Sequence, residues 1–231
     1  MPEVIISGSE GRIEGRYHHS EKNNPPIAIV FHPHPLHGGT MNNKVVYHLY
    51  HCFVKSGFSV LRINFRGVGK SEGKFDNGFG ELTDAATALD WLQLQNPTSN
   101  SVWVGGFSFG SWIAMQLLMR RPEIQSFIAI APPLNKYDFS FLSPCPVSGL
   151  ILQGDQDSIV PEDEVTKLVK KIPKQKHIEI KYQVIKGADH FFRTKIDEMN
   201  IAVTEYIKSR FENYKPAKAK IDRRRRQTPQ N

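Results

Sequence analysis

The sequence predicts an α/β fold, with a mostly parallel central sheet, helices on both faces and no large cap domain. Three observations predict it. Short apolar stretches of β character alternate with amphipathic helical ones along most of the 231 residues. Several of those stretches, "IAIV" and "FIAIA" among them, are apolar at consecutive positions, as strands buried on both faces require. The connections between them are too short to hold an inserted domain.

Taken in order, "EVIISG" and "RIEGRYHH" read as an opening antiparallel pair, and "PIAIVFHP" as the first buried strand. In "NNKVVYHLYHCFVKSG", Val45, Val46, Leu49, Tyr50, Phe53 and Val54 share one helical face, and Gly57 follows as the cap. "FSVLRINF" is the next strand, and "ELTDAATALDWLQLQ" a helix stopped by Asn96-Pro97. Strand "SVWVGG", helix "SWIAMQLLMRR", and strands "SFIAIA" and "SGLILQG" follow. Helix "EDEVTKLVKKI", strand "IEIKYQVI" and helix "TKIDEMNIAVTEYIKSRF" close the series. The expected division is one domain over 1–213 and a basic, disordered tail over 214–231.

Hydrophobic content of 39% and charged content of 23% are those of a soluble globular protein. No apolar run approaches the ~20 residues of a spanning helix, and "MPEVIISGSEGRIEG" lacks the build of a secretory signal. Cys52 and Cys145 form no disulfide framework and lack zinc-ligand spacing, so a cytoplasmic location is expected. The net charge of +7 is concentrated at one end. From Lys215 onward seven Lys or Arg face one Asp, a net +6, leaving +1 for the rest. No nucleic-acid-binding fold accompanies "DRRRR", so the tail reads as a solvated end, with weak polyanion contact as the alternative.

The stretch that carries chemistry is "GGFSFG", where Gly106-x-Ser108-x-Gly110 matches a nucleophile elbow. The bare pattern arises by chance in roughly one chain in ten of this length. Here, however, it follows a β run and opens a helix, as an elbow must. A serine hydroxyl needs a base, and the base an orienting acid. After strand "SGLILQG" stands "GDQDSIVP", and after "IEIKYQVI" stands "KGADHFF". Asp157 and His190 therefore lie in loops just beyond strand ends, in the chain order Ser, Asp, His that the elbow demands. Asp155 leaves the same strand as Asp157 and is the alternative acid; Asp157 is favoured because it stands further into the loop. Asp189 reads as a turn or cap residue. For the oxyanion, the backbone N–H of Phe109 is one expected donor. The other comes from "HPHPLHGG", where Pro33 and Pro35 have no N–H and His34 remains.

On these residues the chain resembles the α/β-hydrolase superfamily from about Val4 to Phe211. It is similar to small cap-less bacterial serine hydrolases, dienelactone-hydrolase-like or serine-aminopeptidase-like, with an H-P-H-P-x-x-G-G-x-M-x-N-K segment matched by His32 through Lys44. "NFRGVGKSEG" is similar to the R-G-x-G-x-S loop of that branch. "GDQDSIVP" is similar to its G-x-x-D-x-x-V-P acid loop, which supports Asp157, and "GADHFF" resembles its histidine loop. The resemblance implies a serine hydrolase with no metal and no organic cofactor, acting on a small-molecule acyl substrate. Aminopeptidases of that branch hold the substrate's amino end with acidic residues on a cap. This chain has no room for one, so small esters or thioesters are expected, with peptidase or acyltransferase chemistry, or non-catalytic binding, as alternatives.

Other residues have two readings each. His32, His34 and His37 fit H-x-H-x-x-H, similar to a zinc motif, but Leu36 stands where that motif needs an aspartate, so they read as loop histidines lining a cleft. His48 and His51 read as surface or groove residues. Among the aromatics crowding the site, Phe139, Phe141 and Phe191 are the expected walls of a substrate pocket, against a core reading of the same rings. Arg66 reads as a structural loop residue before a substrate anchor.

Overall fold

The computed structural model describes residues 2–173 and 175–212. The expected boundary at 213 and the basic tail lie outside the described residues. Among those described, eight strands form one sheet. They are β1 (Glu3–Gly8), β2 (Gly11–His18), β3 (Ile27–Phe31), β4 (Ser59–Ile63), β5 (Val102–Phe107), β6 (Ile124–Ile130), β7 (Ser148–Gly154) and β8 (Ile180–Ile185). Their order across the sheet is β1-β2-β4-β3-β5-β6-β7-β8. β2 runs antiparallel to β1 and β4, and all other pairings are parallel.

The apolar runs are explained by a core on each face. In β3, Ile27, Ile29 and Phe31 point to one face and Ala28 and Val30 to the other, and all five are fully buried. Helices α2 (Phe79–Gln95), α3 (Phe109–Leu118) and α4 (Glu162–Lys171) cover the first face. Helices α1 (Lys44–Lys55) and α5 (Ile196–Glu212) cover the second. The face expected for α1 is the one it buries, with Val54 packed at the edge. Gly57, at φ +89°, takes the left-handed turn that ends it.

Boundaries differ in two instructive places. α3 begins at Phe109 rather than Ser111, because the chain passes from strand to helix through the single residue Ser108. β8 begins at Ile180, two residues late, because Ile178 is drawn into a small bridge with Gln175.

Because β4 and β5 lie on opposite sides of β3, the chains leaving β3 and β5 diverge. The divergence opens a crevice beyond their carboxyl ends, the place where ligand sites form in open α/β sheets. Between β6 and β7 there is only a loop with one 3-10 turn, Ser140–Leu142. None of the helices is long and apolar enough to cross a membrane, among the described residues.

Candidate active site

Ser108 sits between β5 and α3 at φ +53° and ψ −122°, a left-handed conformation that a non-glycine residue holds only under constraint. The constraint is visible. Its N–H donates to the Ile130 carbonyl at 2.9 Å, and its own carbonyl accepts from Ser111 N–H at 2.8 Å. The flanking glycines have a steric cause. A Cβ on Gly106 would strike the Gly110 carbonyl, and one on Gly110 the Phe31 carbonyl; backbone cannot yield as a side-chain tip can.

His190 lies across the crevice, with Nε2 3.2 Å from Ser108 Oγ and Nδ1 2.7 Å from Asp157 Oδ2. Phe107 and Phe191 pack against its ring, with centroids 5.0 and 5.2 Å away, and fix its plane. Asp157 is buried and fully occupied as an acceptor. Oδ1 takes the N–H groups of Ile159 and Val160 at 2.9 and 2.8 Å, while Oδ2 also takes Gln153 Nε2 at 2.9 Å. Burial alone would push this carboxyl up. The His190 hydrogen bond and charge, with the Val160 and Ile159 amides, outweigh it and hold the group below the ordinary carboxylate range. An ionised Asp157 requires the imidazole hydrogen on Nδ1, which leaves Nε2 free to accept from Ser108.

The other candidate acids take other roles. Asp155 accepts from Gly187 N–H at 2.6 Å, and Asp189 caps Arg193. His34 and Phe109 both line the crevice with Ser108, and neither backbone N–H has a hydrogen-bond partner among the described residues. The His34 carbonyl accepts from His37 and Gly39, each at 3.1 Å, which closes the loop into a compact turn.

The cavity at Ser108 has a volume of about 390 Å³. Phe191 lines it. Phe139 and Phe141 do not, and here the sequence expectation is corrected. Phe139 is 3% exposed and belongs to the core, with Phe141 stacked on it at 6.0 Å; their loop turns inward after Tyr137. The wall comes instead from Pro133, Lys136, Tyr137 and Ile159. Tyr137 is held there by stacking on Trp112 at 4.2 Å.

The histidine cluster also needs correction. His34 and His37 reach the cavity, but His32 is fully buried and faces no cleft. Its Nδ1–H donates to the Pro33 carbonyl at 2.6 Å and its Nε2 accepts from Phe65 N–H at 3.0 Å, so it braces the loop carrying His34. Among the described residues, no three His, Cys, Asp or Glu side chains are grouped to hold a metal. Burial lowers the His32 pKa to about 4, against an ordinary 6.5. Between those values the unfolded chain takes up a proton that the folded one refuses. The contribution of His32 to stability is therefore complete above pH 6.5 and shrinks by about 3 kcal/mol as the pH drops to 4. Urea unfolding across this range should show that slope and His32→Gln should flatten it; an unchanged slope in the variant would refute the assignment.

Arg66 is structural. Its guanidinium forms a buried pair with Asp84 on α2, Nη2 to Oδ1 at 2.7 Å and Nε to Oδ2 at 3.0 Å. Gln153 and Asp84 were not singled out from sequence. The signal for Gln153 was present, a polar residue ending the otherwise apolar strand "SGLILQG". Asp84 sits in a helix among other acidic positions and carries no local mark.

A family model described as X-Pro dipeptidyl-peptidase (S15 family) matches residues 16–143, more than half the chain. The chain belongs to the S15 family within the α/β-hydrolases. The matched region contains the elbow and ends before Asp157 and His190. An uncharacterised protein of Rickettsia prowazekii is 59% identical over 93% of this chain and 92% of its own. A solved α/β-hydrolase of unknown function from Agrobacterium tumefaciens is 54% identical, with a TM-score of 0.89 over 93% of this chain and all of that one. A serine hydrolase without a lid from Xanthomonas campestris is 32% identical, with a TM-score of 0.83 over 93% and 96% of the two chains. Among the described residues of this α/β-hydrolase, no inserted element covers the crevice, and the loop between β6 and β7 leaves it open.

Proposed function

We propose that this hydrolase cleaves small carboxylic esters or thioesters through an acyl-enzyme at Ser108. One observation carries the reading: an unbroken hydrogen-bonded line from Asp157 through His190 to Ser108, ending at an open cavity. His190 Nε2 takes the hydroxyl proton as Oγ attacks the carbonyl carbon, and the ionised Asp157 stabilises the imidazolium that forms. The Phe109 and His34 amides, which have no hydrogen-bond partner among the described residues, supply donors for the oxyanion. Collapse of the tetrahedral intermediate breaks the bond to the leaving group, which receives the proton from His190. A water then repeats the sequence, its proton going to His190 and its oxygen to the acyl carbon, releasing the acid and restoring Ser108.

Cavity size favours small substrates. Its volume lies at the small end of the range usual for ligand pockets, and its open mouth lets part of a substrate remain outside. The S15 match makes peptide cleavage a second reading. Release of an X-Pro dipeptide requires a counter-charge for a free amino terminus. No carboxylate lines the cavity among the described residues, which favours the ester reading. A fluorophosphonate probe should label the wild type and fail to label Ser108→Ala. Equal labelling of the two refutes Ser108 as the nucleophile and points to another reactive group, whereas labelling of neither favours a non-catalytic binding role.

A further inference from the structure

We infer that Lys136 makes the cavity selective for esters or thioesters bearing a carboxylate near the scissile carbonyl. The inference rests on the Ser108 reading above and deepens it.

Among the described residues lining the cavity, Lys136 is the one lysine or arginine, and no Asp or Glu accompanies it. Its ammonium has no hydrogen bond or ion pair with another described residue, whereas acidic groups nearby are engaged elsewhere. Asp138 accepts from Ser140, Glu81 caps the start of α2, and Asp157 is turned to His190. A cation on a cavity wall without a protein counter-ion attracts an anion from the ligand.

The backbone around Lys136 is pinned on both sides. Asn135 Nδ2 donates at 2.8 Å to the carbonyl of Ile159, another residue of the cavity wall. Two residues after Lys136, the Asp138 carbonyl accepts from Trp112 Nε1 at 3.1 Å. Within the turn, Lys136 N–H donates to the Pro133 carbonyl at 3.1 Å. The side chain thus leaves a fixed point on the rim, a requirement for selectivity rather than loose attraction. His34 lines the same cavity. Burial, then the neighbouring His37 and Lys136, hold its imidazole below the usual value, so Lys136 supplies the charge at neutral pH. His34 Nδ1 accepts from Leu36 N–H at 3.2 Å, which leaves the ring's Nε2–H as a further donor.

The test compares kcat/KM for 4-nitrophenyl pentanoate, its glutarate half-ester (carboxylate on the acyl side) and 4-carboxyphenyl pentanoate (carboxylate on the leaving side). Wild type should favour one carboxylate-bearing ester over the same ester with its carboxylate capped as the methyl ester by roughly tenfold, less at high salt. Lys136→Met should abolish that ratio, Lys136→Glu invert it, and Lys136→Arg retain it. Using a ratio within each variant cancels any general loss of activity. The arm that responds names the side on which the carboxylate sits. A ratio near one in wild type, or one unmoved by Lys136→Met and Lys136→Glu, overturns the inference while Ser108-dependent turnover continues. Absence of turnover on every ester, together with absence of fluorophosphonate labelling, overturns the parent reading and this one with it.

Discussion

Ser108→Ala should lower ester turnover by ~10³-fold or more while leaving the fold intact. The expectation follows from what the side chain touches. Ser108 Oγ has one hydrogen-bond partner among the described residues, His190 Nε2. Its strained backbone is held by main-chain bonds that alanine keeps. Unfolding free energy should therefore move by less than about 1 kcal/mol. Asp157→Asn should be nearly as damaging to rate. An amide in that place donates as well as accepts, so the imidazole no longer holds its hydrogen on Nδ1, and a drop of ~10⁴ is the precedent for such a change. Steady-state kinetics beside a thermal melt decide both cases. A loss below tenfold in Ser108→Ala with an unchanged melt would remove the serine from the mechanism.

Asp84→Ala should cost about 3–5 kcal/mol of stability, the usual penalty for stranding one charge of a buried pair. The Arg66 and Asp84 side chains are 7% and 2% exposed. Asp84 also accepts from Arg66 N–H at 3.1 Å, and Arg66 Nη2 reaches Ser9 Oγ at 3.1 Å. Removing the carboxylate leaves the Arg66 N–H and Nε without a partner and the guanidinium charge unbalanced under α2, with Ser9 Oγ as its remaining contact. The double variant Arg66→Met/Asp84→Leu should recover most of the loss, because two apolar side chains remove the stranded charge instead of exposing it. Urea unfolding of both variants checks this. A single variant within about 1 kcal/mol of wild type would show that the pair contributes little.

Legibility in the sequence tracked how local the determining physics is. The strands were readable because both faces of the sheet are covered, which makes consecutive apolar residues obligatory in β3 and β6. The α1 face and Gly57 were readable from helical period and from the one residue type at ease with positive φ. Phe139 and Phe141 were misassigned because a phenylalanine has the same composition signal in a pocket wall as in a core. Which of the two applies depends on where their loop turns relative to Tyr137 and Trp112. His32 was misread for a related reason: its neighbours in the chain reach the cavity, while it faces the Phe65 amide, 33 positions away.

The sequence by itself determined the alternation of strands and helices, the glycine-flanked turn at Ser108, and the order in which an acid and a histidine follow it. These rest on steric and hydrophobic rules acting over a few residues. Only the tertiary structure decided which side chains meet. His190 and Ser108 are 82 positions apart and His190 and Asp157 are 33 apart. Their encounter depends on the order and twist of β5, β7 and β8, and on loops whose path is set by packing rather than by composition. The placement of Lys136 on the cavity wall is of the same kind, since a lysine's neighbours are chosen by what the fold brings within a few ångströms of it.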